Sequence, residues 1–349
     1  MKDEKKKVRS AVRRQFAENY LLISLVSFGV TVISIRVFLQ LTGFPQIGNG
    51  VLHIAHTLWG GLLLTVAVML PLAFANRWAI QASALLSGIG IGLFIDEVGK
   101  FITQSNDYFF PPSLALIYGF FLIMVFIYLH FRRPGEEDPR KAMYHVLEEL
   151  LDAIDGDLDI AEAARIETQL AIARQSDKGE IVTLAEAIIH YLEQEKGSLL
   201  VARPGLRRRA AAKVDAIGQK VGRQRHRNII SVVLSLWVIV VIGYIAILVA
   251  GVASLDNQIV QWRDLLIAIQ VLIGGLLVVA VTTWLTGHEV VGLKFAVLGS
   301  LLSLIALQTL YFYLSQFAAI TSTLFQLSFL FILLTYRRWY VSDRVFQGE

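Results

Sequence analysis

The sequence predicts an all-α polytopic membrane protein with eight transmembrane helices and an inserted cytoplasmic helical bundle. Hydrophobic residues make up 55% and charged residues 17% of the 349 residues, and the mean hydropathy is +0.59. Soluble domains average roughly 45–50% apolar and about 25% charged residues. This composition excludes an ordinary soluble enzyme. The lack of cysteine excludes disulfides, thiolate catalysis and cysteine-ligated metal sites.

Eight apolar blocks are each long enough to cross a bilayer as a helix. A hydrocarbon core about 30 Å thick needs ~20 residues at ~1.5 Å per residue. Helices are the expected spanning form because their backbone groups bond within the segment. We expect the first span to be retained rather than cleaved as a signal peptide, because its apolar run is long and contains Arg36. The predicted spans are 19–42, 52–75, 78–104, 112–131, 229–252, 264–286, 290–314 and 317–336.

Lysine and arginine predict the orientation of these spans, because basic residues concentrate on the cytoplasmic side. They are frequent in the tail 1–18, at both ends of the middle segment 132–228, and in the tail 337–349. The four loops on the opposite side carry a single basic residue, Arg263. An even number of spans places all three basic segments on one side. We therefore expect a plasma-membrane protein with both termini and the middle segment in the cytoplasm.

The middle segment 132–228 contains no span and is predicted to form a small bundle of three or four helices. Amphipathic helices place apolar residues at i, i+3, i+4 and i+7. Two sets of residues follow such a spacing: Leu147, Leu150, Leu151 and Ile154, and Ile181, Leu184, Ile188 and Leu192.

Charge divides the middle segment into an acidic and a basic part. Residues 136–195 contain sixteen acidic and five basic residues, whereas residues 196–227 contain ten basic residues and one acidic residue. Basic segments beside a membrane are attracted to anionic lipid by roughly 1 kcal/mol per residue. We therefore expect 203–227 to lie on the anionic inner leaflet. Because membrane proximity explains this charge, nucleic acid is not an expected partner.

A short similarity between the two halves predicts an internal duplication. The segment 58–63, LWGGLL, resembles 272–277, LIGGLL. Spans 1–4 and 5–8 would then be two four-helix repeats with the bundle inserted between them. Apolar sequences of low complexity also produce such matches by chance, so both explanations stay open.

Ionisable residues gather in the outer half of spans 1–3, where charged groups are costly and usually face a bundle interior or a water-filled cavity. His53 and His56 are i, i+3 neighbours near the outer end of span 2. Arg36 in span 1 and Asp96, Glu97 and Lys100 in span 3 are expected at a similar depth in the membrane. The candidate catalytic residues are His53, His56 and Glu97, and the candidate ligand-binding residues are Arg36, Asp96, Lys100 and Asp107.

Helical spacing predicts separate roles for the two carboxylates of span 3. Asp96 follows Gly88 and Gly92 at steps of four, which places it on a small-residue face suited to close helix packing. Asp96 can pair with Lys100 at i+4, which leaves Glu97 for Arg36 or the histidines. Such a cluster is either a ligand site open to the outer face or an interfacial salt-bridge network that orients the helices.

A metal site at His53, His56 and Glu97 is a narrower interpretation. Two imidazoles and a carboxylate can bind zinc or non-haem iron. Arg36 and Lys100 oppose a cation there, and acid–base use of Glu97 or a histidine needs no metal. The cofactor therefore stays unassigned.

Spans 2 and 3 carry a family resemblance. The segments LHIAHTLWGG at 52–61 and GIGIGLFIDEVGKF at 88–101 resemble uncharacterised bacterial polytopic membrane proteins and, more distantly, the VanZ-like membrane proteins. That family has an intramembrane histidine on one helix and a carboxylate on the next, which His53 or His56 and Glu97 would match. The chain lacks the Asp-Lys pair that precedes the family's histidine. The resemblance implies a bacterial plasma-membrane protein connected with envelope chemistry, and it implies no reaction.

Three functions fit these observations. The first is a site that binds or modifies an envelope lipid or lipid-linked precursor from the outer leaflet. The second is a small-solute transporter, although the second half has few charges and no matching pair of broken helices, which transporters often show. The third is a membrane scaffold or signal-relay protein that acts through its cytoplasmic bundle.

Overall fold

Every regular element in the described part of the chain is a helix. The computed structural model describes residues 11–43, 55–108, 110–132, 138–154, 160–195, 216, 221–250, 257–314 and 316–341. Much of the predicted inner-leaflet segment 203–227 and the candidate residue His53 lie outside these ranges.

Eight helical segments are long and apolar enough to cross a membrane, which confirms the predicted number of spans. They contain at most two charged residues in their most apolar window. The segments are α1 (Ala17–Thr42), α2 (His56–Ala73), α3 (Arg77–Asp96), α5 (Pro112–Arg132), α9 (Arg223–Ala250), α10 (Asn257–Leu285), a seventh composed of α11 (Glu289–Leu302), a π-helical turn (Ser303–Leu307) and α12 (Gln308–Leu314), and α13 (Gln316–Tyr340).

Two predicted spans are interrupted. The third ends at Asp96, Glu97 leaves helical geometry at φ −88° and ψ 10°, and a short helix α4 (Val98–Ile102) follows. The seventh contains the π-helical turn, a form that is rare and occurs mostly as single turns inside α-helices. The Tyr118 hydroxyl donates to the carbonyl oxygen of Leu304 within this turn at 2.7 Å.

In the described residues between α5 and α9, three further helices pack around a core of their own. They are α6 (Pro139–Ile154), α7 (Ile160–Ala173) and α8 (Gly179–Glu195). Their fully buried residues include Val146, Ile166, Leu170 and Ala185.

The predicted apolar face of α6 is partly wrong. Leu147, Leu151 and Ile154 are exposed, at 46%, 44% and 77% of their surface, and only Leu150 packs against the core. The buried face lies one residue earlier and runs through Met143 and Val146. It also includes Glu149, which is 2% exposed. On α8 the prediction holds for Ile181, Ile188 and Leu192 but not for Leu184, whose place in the core is taken by Ala185.

The chain divides into two compact units. The first contains Met1–Phe94 and Ile123–Arg209, and the second contains Ile95–Leu122 and Ala210–Glu349. The first therefore holds α1, α2, nearly all of α3, the second half of α5 and the helices α6–α8. The second holds the end of α3, α4, the first half of α5 and α9–α13, and its apolar core includes Leu277, Trp284 and Leu333.

Candidate functional site

The carboxylates at the end of the third span are buried, and each accepts a hydrogen bond from a neighbour in the second unit. Asp96 is 0% and Glu97 1% exposed. Lys100 Nζ lies 2.6 Å from Glu97 Oε1, and the Tyr108 hydroxyl donates to Asp96 Oδ2 at 2.5 Å. Lys100 Nζ also lies 5.4 Å from the centre of the Tyr108 ring. These four side chains form one cluster.

One contact in this cluster was not predicted. The helical spacing predicted that Asp96 can pair with Lys100 and leave Glu97 for other partners, and the structure shows Lys100 in an ion pair with Glu97. Glu97 lies at the break between α3 and α4, three residues before Lys100.

The remaining candidate residues lie in three places. Asp107 lies in the turn after α4, where its backbone N–H donates to Thr103 Oγ1 at 2.8 Å. Arg36 is 2% exposed on the inward face of α1, and His56 is the first residue of α2. Arg36 and His56 belong to the first unit, so their convergence with Glu97 stays a prediction. Among the described residues, no three His, Cys, Asp or Glu residues are grouped as a metal site would require.

The structure brings together a second polar cluster that the sequence did not predict. We call it the junction: residues 13–16, which lead into α1, together with Arg77 at the start of α3 and Glu148, Glu149, Glu162 and Arg165 of helices α6 and α7. All of these residues belong to the first unit. The junction therefore joins the near ends of α1 and α3 to the three-helix core.

Phe16 is the centre of the junction. Its ring lies under the guanidinium groups of Arg77, at 4.6 Å, and Arg165, at 5.4 Å. Its backbone is left-handed, with φ 59° and ψ 19°, a conformation that bulky residues rarely adopt and that costs of order 1–3 kcal/mol. The two cation–π contacts contribute about 0.5–2 kcal/mol each and offset this strain.

Two carboxylates fix the arginines around Phe16. Glu162 Oε1 lies 3.0 Å from Arg77 Nη1 and 3.5 Å from Arg165 Nη2. Glu149 Oε1 lies 3.0 Å from Arg165 Nε. Each guanidinium is thus held both by a carboxylate and by the aromatic ring.

The segment before α1 binds directly to α6. The backbone N–H of Gln15 donates to Glu148 Oε2 at 3.1 Å, and Gln15 Nε2 donates to Glu149 Oε1 at 2.9 Å. Arg14 Nε lies 3.4 Å from Glu148 Oε1, and His145 Nε2 lies 3.1 Å from the carbonyl oxygen of Arg13. Three consecutive residues, Arg13 to Gln15, therefore contact one face of α6.

A cavity of about 60 Å³ lies inside the junction and is lined by Gln15, Phe16, Arg77 and Glu149, among others. Two buried acceptors of the junction, Glu149 Oε2 and Gln15 Oε1, have no hydrogen-bond partner among the described residues. Burial raises the pKa of Glu149, whereas the hydrogen bond and charge of Arg165 act in the opposite direction. The net effect is a pKa above the ordinary value, because burial penalises the charged form of the carboxyl.

The sequence contained weak signals for the junction. Arg77 is the single basic residue in the turn between spans 2 and 3, and Phe16 is an aromatic residue within a basic tail. Glu149 and Arg165 resemble ordinary solvated charges of amphipathic helices. Only the packing of α6 against α7 brings these residues together.

No family model, curated protein or solved structure matches this chain.

Proposed function

We propose that this chain is a plasma-membrane relay protein whose helices α6–α8 form a cytoplasmic bundle and respond to the first membrane spans. The eight apolar helices and the distribution of lysine and arginine support this topology. The observation that carries the proposal is the pair of cation–π contacts that Arg77 and Arg165 make with the Phe16 ring.

These two contacts couple three parts of the first unit. Phe16 precedes α1, Arg77 begins α3, and Arg165 belongs to α7 of the bundle. A shift of α1 relative to α3 moves Phe16 away from Arg77, and the loss of this contact releases part of the strain at Phe16. The bundle then loses its attachment to α1. The attached and detached arrangements are the two states that a relay requires.

Distance measurements within the first unit test this proposal. The chain has no cysteine, so spin labels can be placed at two introduced cysteines without background. Exposed positions Gln81 on α3 and Glu186 on α8 are suitable. We expect one narrow distance distribution in the labelled parent and a broad or bimodal one after Phe16→Ala.

Arg174→Ala is the matched control, because Arg174 is an exposed basic residue of the same bundle outside the junction. It should leave the distribution narrow. An unchanged distribution in Phe16→Ala, with α6–α8 still helical, would contradict the coupling. A variant that lacks residues 136–222 and still restores wild-type function to a null strain would also contradict the proposal.

A second function is favoured by the burial of charged side chains in the first span and at the end of the third. Arg36, Asp96 and Glu97 are each at most 2% exposed although they lie in or beside apolar helices. Such groups mark functional pathways or sites in membrane proteins. Here the proposed site binds or modifies an envelope lipid, with His56 and Glu97 as reactive groups, and the VanZ-like resemblance points in the same direction.

Variants separate this lipid site from a structural salt bridge. His56→Ala and Glu97→Gln should abolish function and the co-purification of a bound lipid, while insertion and expression persist. Asp264→Asn is the control, because Asp264 is an exposed acidic residue with 89% of its side chain accessible. Wild-type lipid content and phenotype in both site variants would overturn this function.

A further inference from the structure

A cleft opens at one end of the second unit, away from any residue used above. Its volume is about 540 Å³, within the range of small-ligand sites. It lies where α9 begins, where α10 turns into α11 and where α13 ends. The lining residues are Arg223, Gln224, Arg227, Gly287, His288, Glu289, Val290, Val291, Tyr340 and Val341.

The walls of this cleft are fixed by contacts among the three helices. The Trp284 indole donates to Ser231 Oγ at 3.0 Å and packs on Tyr336 with ring centres 5.2 Å apart. His226 Nδ1 lies 3.3 Å from the Tyr340 hydroxyl. Because these contacts connect α9, α10 and α13, the lining residues hold their positions before any ligand binds.

Two arginines one helical turn apart dominate the charge of the cleft. Glu289 holds them side by side, with Oε2 at 2.7 Å from Arg223 Nη2 and Oε1 at 3.5 Å from Arg227 Nη1. The Tyr336 hydroxyl donates to the same Glu289 Oε2 at 3.0 Å. A guanidinium has five N–H donors, so each arginine keeps donors beyond those used by Glu289. The side chains stay accessible, at 38% for Arg223 and 33% for Arg227.

The chemistry of these walls matches a phosphate group attached to an apolar body. Paired guanidiniums bind phosphate oxygens in a planar, bidentate manner. Val290, Val291 and Val341 also line the cleft and supply its apolar surface. Tyr340 and the neighbouring Trp339 are residue types enriched where membrane meets water.

We propose that this cleft binds the phosphate of an anionic membrane-lipid headgroup, with Arg223 and Arg227 as its direct ligands. This assignment is independent of the relay and of the outer lipid site. It is also narrower than a general attraction of 203–227 to the membrane surface. Glu289 positions the arginines and competes with the ligand for their donors. A soluble phosphate would use the same donors.

Native mass spectrometry of the full-length protein in detergent, titrated with phosphatidylglycerol or phosphatidylcholine, tests the site. We expect phosphatidylglycerol to bind more tightly and Arg223→Gln/Arg227→Gln to lose about tenfold or more of that affinity. The matched control is Arg225→Gln/Arg337→Gln, which removes the same charge from exposed arginines of α9 and α13 that do not line the cleft. It should stay within about twofold of wild type.

Glu289→Gln should change the affinity for phosphatidylglycerol in the opposite direction. The amide oxygen still accepts from Arg223 and Tyr336, but the competing negative charge is gone, so phosphatidylglycerol should bind several-fold more tightly. A misfolded variant cannot produce this gain. Equal losses in the cleft and control double variants, or weaker binding in Glu289→Gln, would overturn the proposal.

Inorganic phosphate distinguishes the two sources of the ligand. If millimolar phosphate displaces phosphatidylglycerol from wild type but binds poorly to Arg223→Gln/Arg227→Gln, the cleft is a soluble-phosphate site. If phosphate does not displace the lipid, the headgroup is the ligand. The first result would overturn the lipid assignment and leave a phosphate site at these two arginines, and the second supports the lipid assignment.

Discussion

The two units pack one pair of aligned glycines differently, although their sequences share the LWGGLL-like segment. In the first unit, a Cβ placed on Gly60 would lie 2.8 Å from the carbonyl oxygen of Gly90 and 2.9 Å from the nitrogen of Phe94. In the second unit, the aligned Gly274 faces a side-chain atom, Val241 Cγ1, at 3.1 Å. Gly60 thus meets the backbone of the third span, whereas Gly274 meets a side chain of the fifth.

This difference bears on the predicted duplication. Exact repeats would place Gly60 and Gly274 against equivalent helices, and the observed neighbours are not equivalent. Elsewhere both units bring helices together at glycines. In the first, Gly88 packs on Ser24 and Ser27; in the second, a Cβ on Gly292 would lie 3.0 Å from the carbonyl oxygen of Ala280. The repeat stays a prediction, and any shared origin has not preserved the packing of this glycine pair.

Alanine substitutions at the aligned glycines should give the largest difference between the units. In Gly60→Ala the added methyl overlaps backbone atoms that cannot rotate away, so we expect a loss of about 2–3 kcal/mol. In Gly274→Ala the Val241 side chain can adjust, so the change should stay within about 1 kcal/mol. Unfolding titrations in mixed detergent micelles measure both.

Gly61→Ala and Gly275→Ala are the controls for this pair, because nothing lies within 4 Å of a Cβ at either position. Both should be near neutral or slightly stabilising, since alanine favours a helix over glycine. Equal losses in Gly60→Ala and Gly274→Ala would restore the case for equivalent packing in the two units.

Arg77→Ala tests the junction, a charged cluster formed within the first unit. The variant loses the ion pair with Glu162 and the cation–π contact with Phe16, and we expect a loss of about 1–2 kcal/mol. Hydrogen exchange of residues 139–173 should increase. Arg174→Ala should change stability by no more than about 0.5 kcal/mol. Unaltered exchange in Arg77→Ala would show that the junction does not stabilise the bundle.

The pH dependence of the junction follows from Glu149 and should be a smaller effect. Burial raises the pKa of Glu149 above its ordinary value of 4.5. The stabilisation from the protonated acid is complete below that ordinary value and is lost as pH rises through the raised pKa of the folded state. The groups that face this carboxyl are Gln15, Arg77, Glu162 and Arg165.

We therefore expect protection of α6 from hydrogen exchange, corrected for intrinsic rates, to decrease as pH rises from 4.5. Glu149→Gln imitates the protonated acid and should flatten this dependence. Glu148→Gln, at the neighbouring and more exposed carboxyl, should keep it. An identical pH profile in Glu149→Gln and wild type would exclude Glu149 as the source.

The smallest effect is expected at an exposed ion pair of the second unit. Arg263 Nε lies 3.2 Å from Asp264 Oδ1, and the two side chains are 43% and 89% exposed. Solvent screens such a pair, so Arg263→Ala should change the free energy of unfolding by less than about 0.5 kcal/mol. A loss as large as that of Arg77→Ala would contradict the distinction between structural and solvated charges.

Hydropathy predicted the membrane helices well and the interruptions within them poorly. The observed α1 and α5 differ from the predicted spans by no more than about two residues at either end. The length of apolar sequence determines whether a helix can cross a bilayer. The break at Glu97 and the π-helical turn at Ser303–Leu307 have no such signal. Tertiary contacts are made at both interruptions. Lys100 pairs with Glu97, Tyr108 donates to the adjacent Asp96, and Tyr118 donates to the carbonyl oxygen of Leu304 in the π-helical turn.

Periodicity located α6 but chose the wrong face. Leu147 and Leu151 fit the helical spacing as well as Met143 and Val146 do, so spacing alone cannot distinguish the two faces. Glu149 belongs to the buried face because Arg165 and Gln15 provide its partners. Helical spacing carries no signal that this carboxylate is buried, so the junction could not be predicted from it.

The sequence by itself determined the all-helical class, the eight spans and the presence of charged residues within them, because these depend on composition and on distances along one helix. The tertiary structure decided which charges meet: Glu97 with Lys100, Glu149 with Arg165, and Glu289 with Arg223 and Arg227. Except for Glu97 and Lys100, these partners lie far apart in the chain. A short-range attraction between them acts only after apolar packing has placed their helices side by side.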